Sequence, residues 1–132
     1  MIAELGTIKM GDVENFGNFM GAVIDGAAFK SITEYIDYAK QHKDKCEIVF
    51  GGRYDDSKGW FIEPTVVATT DPHFRLMVEE IFGPVLTIYV YKDAEYANTL
   101  HLCDQTSPYS LTGAVFARDR MAVALAERTL RH

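Results

Sequence analysis

Phe29, Ile32, Ile36 and Ala39 recur at helical spacing, with Lys30, Glu34, Lys40 and Lys43 elsewhere. This pattern predicts a helix from about Gly26 to Gln41, N-capped by Asp25. Upstream, "GTIKMGDVENFGNFMGAVID" is rich in Gly and Asn and reads as irregular, and the opening "MIAELGTIKMG" has the look of a helix tail. Downstream, "CEIVFGG" predicts a short strand stopped by Gly51 and Gly52. "RYDDSKG" is turn chemistry, and "WFIEPTVVAT" predicts a strand. Pro64 has no N–H, so that strand is an edge or breaks there. The run "VLTIYVY" is almost continuously apolar, as expected of a strand covered on both faces. Asp93 is placed to cap a helix carrying Tyr96, Leu100 and Cys103 on one stripe, broken by "SPYS". "LTGAVFA" predicts another strand, and Asp119 caps a last helix through Leu125 to Leu130.

The second half therefore alternates strand, helix, strand, helix. That order predicts a parallel pair joined by a right-handed crossover. The fold class is α/β, part of an open, mostly parallel sheet with flanking helices, in one domain over residues 1–132. The ending "RTLRH" has no C-cap Gly and no following element, and the opening is equally abrupt. Both are expected of a piece of something longer.

Composition narrows the partners. Thirteen basic against 19 acidic residues leave a net charge of −6, which argues against an electrostatic grip on nucleic acid or anionic lipid. No apolar run is long enough to span a bilayer, and Glu4 and Asp12 interrupt any signal-peptide core. Cys46 and Cys103 are too few for a disulfide framework and lie in no CxxC or other metal spacing. The simpler reading is a reducing compartment.

The sharpest local feature is "MVEEIFGPVL", residues 77–86, where adjacent carboxylates run into the apolar strand. The plain reading of Glu79 and Glu80 is two solvated side chains, because Glu is almost never buried unless paired. The sharper reading is that one of them accepts two hydrogen bonds from a ligand diol, for which its forked oxygens are suited. Phe82 then lies along a flat ring. Gly83-Pro84 and Gly51-Gly52 read as turns; no GxGxxG pattern or following helix makes the glycines a phosphate cradle. His42, among lysines, is expected at the surface, and His101 at the surface or partly buried. With His73 and His132 they show no metal-ligand pairing. Cys103, on the apolar stripe of its helix, reads as a small buried hydrophobe rather than a nucleophile, and Cys46 likewise. Asp55-Asp56 reads as a solvated turn.

The run Glu79-Glu80-Ile81-Phe82-Gly83-Pro84-Val85 resembles a signature of the aldehyde dehydrogenase superfamily. "GWFIEPTVV" before it, "SPYSLTGAVFARD" after it, and "KMGD" and "AVID" near the start resemble further family segments in the same order, over nearly the whole chain. Within the superfamily, "GDVENFGNFMGAVID", "EPTVV", "DP" and "IYVYKD" look most like the branch that oxidises glutamate semialdehyde in proline degradation. The resemblance implies that Glu80 binds the hydroxyls of the nicotinamide ribose of NAD and that Phe82 packs close to the nicotinamide ring. Glu79 stays a solvated neighbour. It further implies a small-molecule aldehyde substrate, a homo-oligomeric parent, and a mitochondrial matrix location in a eukaryote or a cytoplasmic one otherwise.

The family reaction needs a cysteine thiolate to attack the aldehyde, NAD to accept hydride, and a water activated by Glu to cleave the thioester. The family's Gly-Gln-x-Cys nucleophile motif is absent from these 132 residues, and neither Cys46 nor Cys103 matches it. The resemblance places the nucleophile, general base, oxyanion-hole Asn and cofactor domain upstream, and the substrate loop and oligomerisation strand downstream. No catalytic residue and no metal ligand is expected here, and the chain alone is expected to be inactive. The alternative is a non-catalytic α/β interaction or small-ligand module.

Overall fold

The computed structural model describes residues 1–109 and 111–131. A short helix, α1 (Ile2–Leu5), precedes an irregular stretch, and then comes α2 (Gly26–Gln41) with the predicted bounds. Its start is set by Asp25, whose Oδ1 accepts from the Ala28 N–H at 2.7 Å, one of the donors a helix start leaves unmatched. Ile32, Tyr35, Ile36 and Ala39 form its buried stripe.

Strand β1 (Cys46–Phe50) ends at Gly51 and Gly52, both at positive φ. A Cβ on Gly51 would collide with the Pro64 carbonyl, so this turn requires glycine. The small ribbon β2 (Tyr54–Asp55) and β3 (Phe61–Ile62) follows. The predicted break at Pro64 separates β3 from β4 (Thr65–Thr69), and a one-turn helix, α3 (Arg75–Val78), leads to β5 (Val85–Tyr89). The sheet is open and ordered β1-β4-β5: β4 pairs antiparallel with β1 and parallel with β5. Thr65, Val66, Val67 and Thr69 of the central β4 are buried.

This unit holds two core clusters. Tyr35, Ala39, Cys46, Val67, Phe74 and Leu76 form the first. Ile32, Ile36 and Ile62 form the second, and partly buried Ile48, Ile81 and Val85 pack against both. Cys46 is buried as expected. Burial, and then the nearby Asp44 carboxylate, push its thiol up, which suits a core residue and not a nucleophile.

Several expectations do not hold. The "VLTIYVY" strand lies at the end of the three-stranded order, and Leu86 and Val90 are exposed, so it is not covered on both faces. Residues 111–117, the predicted "LTGAVFA" strand, are unpaired and exposed. Without that strand the expected β5 crossover pair is absent among the described residues, and the parallel pair is β4–β5 instead. The Asp93 side chain makes no capping bond: a 3-10 turn (Asp93–Glu95) enters α4 (Tyr96–Thr106). Cys103 is exposed rather than buried, because α4 buries only Leu100. His42 is half-buried, its ring stacked on Tyr38 with centroids 3.9 Å apart.

The last helix, α5 (Arg120–Thr129), is capped as predicted, with Asp119 Oδ1 accepting from the Met121 N–H at 2.8 Å. It is tied to α4 by the Tyr96 hydroxyl donating to the Ala122 carbonyl and by Arg131 bound to Asp104. No described helix is long and apolar enough to cross a membrane.

Candidate functional site

The acidic-aromatic run sits between α3 and β5. Phe74 and Leu76, both buried, seat α3 on the core. The chain turns extended at Glu79, and Ile81 drops its side chain against both core clusters. Phe82 then takes φ 53°, a left-handed backbone that costs a non-glycine residue about 1–2 kcal/mol. Its ring is 90% exposed.

Two contacts hold this conformation. Gly83 lies against Ile32 of α2, so close that an added Cβ would sit 2.6 Å from Ile32 Cδ1. The Pro84 carbonyl accepts from the Thr65 N–H at 2.8 Å, which locks the loop exit to β4. Glycine here serves close approach between loop and helix, a role beyond that of a plain turn.

The two glutamates have different environments. Glu79 Oε2 accepts from the Tyr35 hydroxyl at 2.7 Å and from Arg75 Nε at 3.1 Å. The expectation that Glu79 is merely solvated is therefore corrected: the carboxylate is 46% exposed yet engaged twice. These bonds, the Tyr35 hydroxyl first and Arg75 second, hold its carboxyl below the usual carboxylate range. Reciprocally, the bond to Glu79, and then burial, push the Tyr35 phenol up. The Arg75 guanidinium also lies over the Tyr35 ring, 4.5 Å from its centroid, a cation–π contact that fixes its plane.

Glu80 is exposed and makes no hydrogen bond or ion pair among the described residues. With Glu79, Ile81, Phe82, Val85 and Thr87 it lines an open cleft of about 320 Å³. Adjacent in sequence, one carboxylate is committed to the scaffold and the other is left free at the cleft. The Thr87 hydroxyl is buried without a partner among the described residues.

A second cavity, about 660 Å³, lies among α4, α5 and the segment between them, with Cys103, Tyr109, Val115, Glu127 and Leu130 in its walls. Its most buried carboxylate, Asp104, is held by Arg131. Among the described residues no group of three or more His, Cys, Asp or Glu side chains could hold a metal ion.

The geometry thus brings the predicted Glu80 and Phe82 to one cleft, and it adds Tyr35 and Arg75, which sequence reasoning missed. The Arg75–Glu79 pair has the i,i+4 spacing of a helical ion pair and is in principle legible. Tyr35 lies 44 residues from Glu79, and only the fold brings them together.

The aldehyde dehydrogenase family profile matches residues 1–131. The chain belongs to the aldehyde dehydrogenase family. Among its relatives in that family, the mitochondrial delta-1-pyrroline-5-carboxylate dehydrogenase of Dictyostelium discoideum is 47% identical over 132 residues, which is 100% of this chain and 24% of the relative. The corresponding mitochondrial enzyme of Bos taurus is 48% identical over 133 residues, 100% of this chain and 23% of its own length. The delta-pyrroline-5-carboxylate dehydrogenase of Mycobacterium tuberculosis, solved bound with NAD, superposes with a TM-score of 0.86 at 40% identity, over 98% of this chain and 23% of that one. Betaine aldehyde dehydrogenase of Staphylococcus aureus in complex with NAD+ gives a TM-score of 0.81 at 31% identity, over 98% of this chain and 26% of that one. The chain spans about a quarter of the length of the curated relatives it matches.

Proposed function

We propose that this chain forms the nicotinamide-ribose wall of an NAD-dependent aldehyde dehydrogenase that oxidises glutamate semialdehyde, the open-chain form of 1-pyrroline-5-carboxylate, to glutamate in proline degradation. The observation that carries the reading is the free Glu80 carboxylate beside the outward-facing Phe82 at one cleft, on a loop pinned to α2 and β4. Similarity over the whole chain to pyrroline-5-carboxylate dehydrogenases, one of them solved with NAD, supports the substrate and the cofactor.

The residues fit that part of the cofactor. Glu80 offers only acceptors when ionised, and a ribose diol offers two donors. Phe82 offers an exposed aromatic face for a flat ring. NAD supplies the hydride acceptor when bound. The chain's own contribution is to fix the ribose through Glu80 and to shield one side of the ring through Phe82, so that orientation is set before reaction. No general base or nucleophile is assigned to Cys46 or Cys103; burial pushes the Cys46 thiol up, and neither cysteine matches the family's nucleophile motif.

The site belongs to the small-aldehyde chemistry of a homo-oligomeric parent without a nucleic-acid partner, placed in the mitochondrial matrix if the source is eukaryotic and in the cytoplasm otherwise. The names of the curated relatives support the matrix. The test is Glu80→Gln in the full-length protein, with single-turnover hydride transfer followed across NAD concentrations. Exchanging a charged acceptor for a neutral one is expected to weaken productive cofactor placement about tenfold; unchanged rates at every concentration would overturn the assignment. The isolated 132-residue chain should show no NAD turnover with glutamate semialdehyde.

A further inference from the structure

Glu80 stands next to a carboxylate that the fold has already engaged. Tyr35 is on α2, Arg75 is on α3, and Glu79 follows α3 directly. The Tyr35 hydroxyl and Arg75 Nε meet on the same oxygen, Glu79 Oε2, at 2.7 and 3.1 Å. Arg75 is itself held over the Tyr35 ring at 4.5 Å and near the Tyr38 ring at 5.5 Å. The Tyr35 side chain belongs to the first core cluster. On the far side of the loop, Gly83 is pressed onto Ile32, one helical turn before Tyr35 on α2. The segment carrying Glu80 and Phe82 is thus fastened to α2 on both sides, by a charged hydrogen-bond cluster at residue 79 and by steric contact at residue 83.

We infer that Tyr35 and Arg75 are positioning residues that act through Glu79 to aim the Glu80 carboxylate into the cleft. The inference rests on the cofactor reading above. Its physical content is selective. Glu79 is committed to Arg75 and Tyr35, and Glu80 is left as the free acceptor at the cleft wall. A hydroxyl and a guanidinium on one oxygen also fix the direction of the extended backbone at residue 79, and with it the departure of the next side chain.

The test uses full-length protein and reads the dissociation constant of NAD by direct calorimetry, alongside KM for NAD, kcat and the melting temperature. Tyr35→Phe deletes one hydroxyl and keeps the ring that packs in the core. It should raise the NAD dissociation constant about three- to tenfold, less than the full loss of a bond to a charged group because the effect reaches NAD only through Glu80, with kcat at saturating NAD changed less than twofold. Glu79→Ala should behave alike, and Glu79→Gln, which keeps an acceptor oxygen for Tyr35, should recover most of the affinity. In a Glu80→Gln background Tyr35→Phe should add nothing further, because the group it aims has been altered. If Glu80→Gln weakens binding while Tyr35→Phe and Glu79→Ala leave it unchanged, the positioning role is overturned and the cofactor reading stands. If the effects of Tyr35→Phe and Glu80→Gln multiply, Tyr35 acts on stability or on another contact, and the role is again overturned. If Glu80→Gln itself leaves NAD binding unchanged, the cofactor reading falls and the inference falls with it.

Discussion

The unit built from α2 and the three-stranded sheet differs sharply from the α4–α5 unit that follows it. The first holds both core clusters, with Ile32, Ile36, Val67 and Phe74 almost fully buried. The second buries Leu100 and Ala126, and leaves Leu111, Phe116 and Met121 exposed. Each contains a helix with a side-chain cap, so local propensity is not what separates them. The difference is partnership. Helix α2 lies on a sheet whose central strand has neighbours on both sides, whereas residues 111–117 have the pattern of a strand and no strand to pair with among the described residues. A strand's backbone groups need partners that a helix finds within itself, so a strand pattern alone does not make a strand. The candidate site lies on the well-packed unit, where a pinned loop can hold a strained Phe82.

The largest test of this contrast is in the cores. Phe74→Ala should cost about 3–5 kcal/mol, as expected for emptying a fully buried aromatic site. Leu100→Ala, in the thinner unit, should fall near the low end of the range for buried leucine, about 2 kcal/mol. Equal losses in chemical denaturation would show that the second unit has a core of its own and would break the comparison. Next comes Gly83→Ala, which forces a methyl onto Ile32. It should cost about 1–3 kcal/mol by overpacking, and it should also loosen Glu80, detectable as weaker NAD binding in the full-length protein. A neutral outcome in both readouts would mean that the loop is not pinned as described.

The caps sharpen the contrast at smaller scale. Asp25→Ala and Asp119→Ala each remove one side-chain cap worth about 1 kcal/mol. Hydrogen exchange should report the first loss over the α2–sheet unit, because the helix is part of its core, and the second only locally in α5. Cooperative loss across both units from Asp119→Ala would argue against their separation.

The smallest effect is in pH. Glu79 titrates below its ordinary value, held down first by Tyr35 and then by Arg75. A depressed carboxylate contributes stability above its unfolded pKa and loses it as pH falls through the folded value. The melting-temperature gap between the protein and Glu79→Ala should therefore be steady at neutral pH and close below the usual carboxylate range. A gap that persists in acid would assign the effect to packing.

The site is partly legible in the sequence. A carboxylate pair running into an aromatic marks Glu79, Glu80 and Phe82, and resemblance to the aldehyde dehydrogenases implies that Glu80 and Phe82 are the ones that meet the cofactor. Glu79 reads as solvated because nothing local to it supplies Tyr35. The stripe on α4 predicts a buried Cys103, but α4 buries only Leu100, and no sheet covers the rest among the described residues.

The sequence by itself determined what depends on neighbours a few residues away. Asp25 and Asp119 start helices because each side chain reaches an amide two or three residues on. The Pro64 break follows from a missing N–H, and the positive-φ turn at Gly51 from a missing Cβ. Tertiary structure alone decided which strand pattern found a partner, how Phe82 came to face outward on a left-handed backbone, and which of two adjacent glutamates remained free. Each of those outcomes turns on contacts between distant segments, such as Tyr35 with Glu79 and Ile32 with Gly83, whose energies appear only once the chain has closed on itself.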